Sequence, residues 1–213
     1  MRIRSAELWF KGRDAPTIKL AEVVLDWSDA AVVFGPSGSG KTSLFRLICG
    51  WYPAGDEVSA KLDADFDPFS EVRFVGGHPS LLPWLTVLGN LQLAGGEPED
   101  RPRLEDDLKR LCLDLAVLRA YPYELSHGMY KRIEILGAVR SEPRFLLLDE
   151  FFTSLDTSAR HAAFDFLESE MRAGKVLIAT HDLSMEGWER LPRFKLELAP
   201  LYKTVVGLQA CED

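Results

Sequence analysis

Basic residues are in the minority in this chain. Lysine and arginine number 25 against 33 aspartates and glutamates, which leaves a formal charge of −8 and a pI of about 5.1. A surface of that sign suits neither general nucleic-acid binding nor direct adhesion to anionic lipid, since both require a cationic face. Cysteine is scarce as well: Cys49, Cys112 and Cys211 are odd in number, far apart, and outside any CxxC or Cys/His cluster. That usage excludes a zinc site and a disulfide framework, and it fits a reducing compartment. No apolar run approaches the roughly 20 residues of a membrane span. Met1–Phe10 lacks the basic start and apolar core of a leader. The expectation is a cytoplasmic protein that inserts in no membrane and reaches one only through a protein partner.

What remains is ordinary globular material. Hydrophobic residues make up 46% and charged residues 27% of the 213, enough for one large domain or one domain with an inserted lobe. Period-2 alternation predicts strands near Ile3–Trp9, Ile18–Leu25 and Val58–Phe66, and the apolar runs Ala30–Phe34, Phe145–Leu148 and Val176–Thr180 read as buried strands. Helices are predicted from about Lys41 to Gly50, with Leu44, Leu47 and Ile48 on one face, and over Thr157–Met171, with Ala163, Phe164, Leu167 and Met171 on one face. Between them, Leu104, Leu108, Leu111, Leu115 and Leu118 recur at helical steps, bounded by Gly95-Gly96 and Pro122. Phe194–Leu198 and Thr204–Leu208 read as a terminal hairpin. The sum is an α/β protein: a mostly parallel sheet in a core of about 1–85 and 140–213, interrupted by a helical lobe at about 86–139.

Gly35-Pro36-Ser37-Gly38-Ser39-Gly40-Lys41-Thr42 fits GxxxxGK[ST], after a predicted strand and at the start of a predicted helix. Glycines allow backbone N–H groups to turn inward around phosphate oxygens, and the helix N-terminus adds partial positive charge. Lys41 can reach the β- and γ-phosphates, the Thr42 hydroxyl can ligate Mg²⁺, and Ser43 continues the cradle. Further on, Phe145-Leu-Leu-Leu-Asp149-Glu150 is an apolar strand that delivers two carboxylates to the edge where that loop sits. Asp149 is the candidate for the Mg²⁺ shell and Glu150 for the general base that polarises a water. Alone, Asp-Glu at a strand end signals little; behind a phosphate loop it indicates an NTP-hydrolysing site.

Three further segments narrow the reading. Leu125-Ser126-His127-Gly128-Met129 resembles the LSGGQ signature of ATP-binding-cassette (ABC) proteins, Thr153-Ser154-Leu155-Asp156 their D-loop, and Thr180-His181-Asp182 their switch histidine. Order and spacing match over nearly the whole chain. The resemblance implies the ABC ATPase fold, with a P-loop core, an antiparallel β subdomain and an inserted helical lobe. It also implies Mg-ATP as ligand and a head-to-tail dimer with a second ABC ATPase subunit. Ser126, His127 and Gly128 would then meet the γ-phosphate bound by the partner, with Asp156 at the same interface. His181 would contact that phosphate and steady Glu150, and an aromatic near the N-terminus, Phe10 or alternatively Trp9, would stack on adenine. Phe74-Val-Gly-Gly-His-Pro-Ser-Leu-Leu-Pro-Trp84-Leu-Thr-Val is similar to the region after the Q-loop in nitrate/sulfonate/taurine importers, where transmembrane permease subunits dock. Such a subunit is peripheral at the inner face of the cell membrane. Leu81, Leu82, Trp84 and Leu85 could equally be lobe core.

The pattern is broken at four places. Gly77, with His78 beside it, stands where the family has its Q-loop glutamine; His127 replaces the first signature glycine and Met129 the final signature glutamine; Phe151 stands where proline is usual. The implied function is the ATPase subunit of an importer for a small anionic or organic solute. A degenerate ATP-binding partner in a heterodimer, and a non-transport cassette acting as clamp or regulator, stay open beside it. A small-molecule kinase would need neither signature nor switch histidine. No regulatory domain is expected after the cassette.

Overall fold

The computed structural model describes residues 1–25, 30–52, 55, 57–77, 79–95, 101–171 and 175–182, together with the backbone of 193–198 and 205–210. A nine-stranded sheet runs through it in the order β4-β1-β2-β9-β8-β3-β7-β6-β5. The strands are β1 (Arg2–Phe10), β2 (Ile18–Val24), β3 (Ala30–Phe34), β4 (Val58–Ala64), β5 (Val72–Val75), β6 (Phe145–Asp149), β7 (Lys175–Thr180), β8 (Arg193–Leu198) and β9 (Val205–Ala210). β3, β5, β6, β7 and β8 are mutually parallel, whereas β1, β2 and β4 form an antiparallel wing. The hairpin β8–β9 joins the two halves, with β9 meeting β2 at Ile18–Val205. The antiparallel part is thus continuous with the parallel sheet rather than a separate layer.

Alternation on the parallel strands divides the interior into two faces. Ala31, Val33, Phe145, Leu147, Leu177 and Ala179 face the antiparallel wing and helix α1 (Lys41–Ile48). Val32, Leu146, Leu148, Val176 and Ile178 face the remaining helices: α2 (Val87–Leu93), α3 (Arg101–Arg110), α4 (His127–Arg140) and α5 (Thr157–Glu170). Every residue of β6 is buried, which is why its sequence is a continuous apolar run instead of an alternating one.

The leucine stripe resolves into two elements. Leu104, Leu108 and Leu111 belong to α3 and the turn after it, whereas Leu115 and Leu118 lie in a 3₁₀ turn, Leu115–Arg119. Leu118 is buried but Leu115 is 42% exposed, because the tighter turn rotates it off the apolar face. β5 has no counterpart among the predicted strands. Only four residues long, Val-Arg-Phe-Val shows too few alternations to register as a period, although the Gly76-Gly77 that follows is a stop signal.

Asn90, also unremarkable in the sequence, holds the loop before α2. It is 7% exposed; its Oδ1 accepts from Leu82 N–H at 2.7 Å, and its Nδ2 donates to the carbonyls of Leu82, Leu85 and Thr86 at 3.0–3.2 Å. The loop thus leaves Trp84 70% exposed while its backbone polar groups are satisfied from inside. Asn90→Leu strands those groups and should lower unfolding free energy by about 3 kcal/mol, read as a shifted urea midpoint with an unchanged slope.

Candidate functional site

β3 ends in the phosphate loop, and α1 begins at its far side. Gly38 and Gly40 have φ of +78° and +94°, left-handed values that a side chain would strain. α1 differs from its neighbours at its N-terminus. Thr86 caps α2 by accepting from Gly89 N–H, Ser126 caps α4 through Met129 N–H, and Asp156 caps α5 through Ala159 N–H. Gly40, by contrast, offers α1 no side-chain cap. The first N–H groups of α1 are therefore left for an anion. Gly35 and Ser39 are buried, Gly40 and Ser43 half-buried, and Pro36, Ser37 and Gly38 form the exposed crest.

Lys41 is buried, 5% exposed, and its Nζ donates to the carbonyls of Gly35 at 2.7 Å and Pro36 at 3.2 Å. β6 lies two strands from β3, across β7, and brings Asp149 and Glu150 to the same edge. Thr42 Oγ1 donates to Asp149 Oδ2 at 2.6 Å. Lys41 Nζ lies 3.7 Å from Glu150 Oε1, and the same oxygen meets His181 Nδ1 at 2.8 Å. Glu150 reaches this position through an unusual backbone, φ +50°, with its N–H donated to Ala179 O at 2.9 Å. Left-handed backbone on a glutamate is a strained conformation of the kind that clusters at working sites. His181 is presented by a turn tied at Thr180, whose hydroxyl bonds both the N–H and the carbonyl of Asp182.

Polar atoms at this edge are under-satisfied. Of six buried side-chain polar atoms without a hydrogen-bond partner among the described residues, three lie here: Ser39 Oγ, Asp149 Oδ1 and Glu150 Oε2. Burial pushes the Asp149 carboxyl above the usual carboxylate range; the charge of Glu150 adds to that push, and the Thr42 hydroxyl opposes it. An orphaned carboxylate oxygen beside a threonine hydroxyl is a fitting pair of hard donors for Mg²⁺, which takes one or two protein oxygens and completes its shell with water and phosphate. No group of three or more His, Cys, Asp or Glu that could hold a metal occurs among the described residues.

The remaining candidates fall in other places. Ser126 and His127 are exposed at the start of α4, and half-buried Gly128 lies next to Leu155, the neighbour of Asp156. His127 is the first residue of α4 with ordinary helical backbone, so no conformational demand for glycine exists there; any crowding by the imidazole is with whatever faces the helix end. Phe10 is half-buried at the end of β1, edge-on to Tyr52 at 5.9 Å and with the Arg13 guanidinium 5.8 Å from its ring centre, while Trp9 is also half-buried. His78 lies outside the described residues. The sequence did not reveal the polar cluster of Lys131, Glu134 and Ser80, of which Glu134 is buried. Lys131 and Glu134 are one helical turn apart, but Ser80 is 54 residues from Glu134, and no local spacing announces that contact.

Comparison with known proteins bears on this geometry directly. A family model described as ABC transporter matches residues 22–153, more than half of the chain. The taurine import ATP-binding protein of Pseudomonas syringae pv. tomato is 33% identical over 181 residues, covering 82% of this chain and 69% of that protein. The Fe(3+) ions import ATP-binding protein of Serratia marcescens is 35% identical over 165 residues, 71% of this chain but 48% of its own length, so the chain spans about half of that relative. Among solved structures, the ATP binding subunit of an ABC transporter superposes with a TM-score of 0.78 at 21% identity, over 99% of this chain and 90% of that one. A dimeric ATP-binding cassette in a post-hydrolysis state, bound to ADP and Pi, superposes with a TM-score of 0.73 at 20% identity, over 100% of this chain and 99% of that one. With the phosphate loop, the carboxylate edge and the sequence match in agreement, the chain belongs to the ABC transporter family.

Proposed function

We propose that this chain is the ATP-binding and ATP-hydrolysing subunit of an importer for a small anionic or organic solute. The observation that carries the proposal is the convergence on Glu150: one carboxylate oxygen lies 2.8 Å from His181 and 3.7 Å from Lys41, next to the Thr42–Asp149 pair. Phosphate oxygens of ATP entering the loop would offer Lys41 a stronger acceptor than the two carbonyls it now holds. Its release from Glu150 would free that carboxylate to take a proton from water. Thr42 and Asp149 would hold Mg²⁺, which neutralises charge on the phosphates. His181 orients Glu150 and would contact the γ-phosphate through its other ring nitrogen.

Closure requires a second cassette. The capped N-termini of α4 and α5, with Ser126 and Asp156 exposed and Gly128 half-buried beside them, are the surfaces we assign to the partner's nucleotide. The opening and closing of that dimer would drive transmembrane permease subunits docked on the helical lobe. Trp84, 70% exposed on the loop that Asn90 braces, is the residue we assign to that contact. Among the described residues no helix is long and apolar enough to cross a membrane, which supports a docked role over a spanning one. The importer names of the relatives support the direction of transport. A heterodimer with a faster partner remains the second reading, favoured by His127 at the face of α4 that would meet the γ-phosphate.

Two variants test the assignment. Glu150→Gln should lower ATP turnover by at least about 100-fold while keeping Mg-ATP bound, and should shift the chain from monomer to dimer on a sizing column; turnover at the wild-type rate would place the base elsewhere. His127→Gly should raise turnover about tenfold across pH 6 to 8, some 1.4 kcal/mol of barrier, because it removes bulk from the capping surface. A cationic role gives the opposite sign. In that case wild type would be faster than the variant.

A further inference from the structure

α4 carries a buried cation shared among three neighbours. Lys131 lies one turn beyond His127, with its side chain 12% exposed. Its Nζ donates to Glu134 Oε2 at 2.9 Å and to the carbonyl of Gly76 at 3.4 Å, and it sits 6.0 Å from the centre of the Phe151 ring. Glu134 is fully enclosed at the side chain, and its other oxygen accepts from the N–H and the hydroxyl of Ser80, at 3.2 and 2.8 Å. Beside them Tyr130 accepts from Leu81 N–H at 3.0 Å. One side of α4 therefore holds Gly76, Ser80 and Leu81, and the same lysine lies over the ring of Phe151, the residue that follows Glu150.

At Gly76 and Gly77 the segment brings only backbone to this link. A Cβ at Gly76 would meet the Phe74 ring at 2.3 Å, so any side chain there would have to displace that ring, whereas a Cβ at Gly77 would meet open space. A buried ion pair contributes less to stability than an apolar pair of similar volume, whereas it fixes relative position sharply. Position is what three elements at one catalytic edge need in common.

We propose that Lys131 is a positioning residue that couples the N-terminus of α4 to both the 76–82 segment and the Glu150 turn, so that capping of nucleotide by α4 moves the two together. The proposal rests on the reading of the chain as an ABC ATPase. Through Glu134 and the Gly76 carbonyl, Lys131 sets the loop that ends at Trp84. Through the face of Phe151 it steadies the left-handed backbone that aims Glu150.

Hydrogen exchange separates this from a purely structural role without depending on turnover. The parent is Glu150→Gln, which retains ATP; the test protein adds Lys131→Met with Glu134→Gln, neutralising both charges together while leaving Ser80 an acceptor. Mg-ATP should slow exchange over 35–43 in both proteins. Over 79–85 it should slow exchange by about threefold in the parent and leave the test protein unchanged. An equal response over 79–85 in the two proteins overturns the proposal. Absence of protection over 35–43 in the parent overturns the nucleotide reading itself, and this proposal with it. Lys131→Gln serves if the double change prevents folding: a full parental response there also overturns the proposal, and a lost response upholds it. Lys131→Arg, which keeps the charge, should restore the response.

Discussion

A lysine ammonium with almost no access to water is the constraint around which this protein is arranged. Burying such a charge is unfavourable unless acceptors surround it, and Lys41 draws its acceptors from the bend of its own loop, the carbonyls of Gly35 and Pro36. For those carbonyls to turn inward, the chain must pass through left-handed backbone at Gly38 and Gly40, and the helix that follows must begin without a side-chain cap. The parallel strands then supply the counter-charge: the residue after β6, Glu150, lies beside the ammonium, and the residue after β7, His181, meets the same carboxylate oxygen. Sheet order, loop conformation and carboxylate placement are three answers to one electrostatic requirement.

That requirement explains why the site is held in tension. Asp149 Oδ1, Glu150 Oε2 and Ser39 Oγ are buried without partners, Glu150 has strained backbone, and Asp149 is pushed toward its protonated form. Each is a cost that a magnesium–phosphate group would offset. A fold selected for stability alone would replace these groups with apolar ones.

Legibility in the sequence followed the range of the interactions. The phosphate loop could be read because its chemistry is local: glycine, lysine and threonine act within eight residues. β6 was readable because burial on both faces leaves an unbroken apolar run. His181 was placed only through resemblance, since nothing in Thr180-His181-Asp182 alone announces a carboxylate 31 positions upstream. β5 was too short to show a period, and Leu115 misled because a 3₁₀ turn shares the leucine spacing of a helix. Asn90, Lys131 and Glu134 were silent for another reason: each looks like a surface polar residue until the fold encloses it. His127 is the converse case. It replaces a glycine of the signature, yet its backbone is plain helix and makes no demand for glycine.

The exposed ends of α4 and α5, the braced Trp84 loop and the buried Lys131–Glu134 pair extend from the carboxylate edge as one continuous set of contacts. All of it presupposes that the Lys41 ammonium exchanges carbonyl oxygens for phosphate oxygens. Calorimetric titration of Mg-ATP into the chain and into Lys41→Ala tests that exchange most directly. The account predicts saturable binding that weakens more than about tenfold, or 1.4 kcal/mol, when the ammonium is removed. Equal affinity in the two proteins would contradict it.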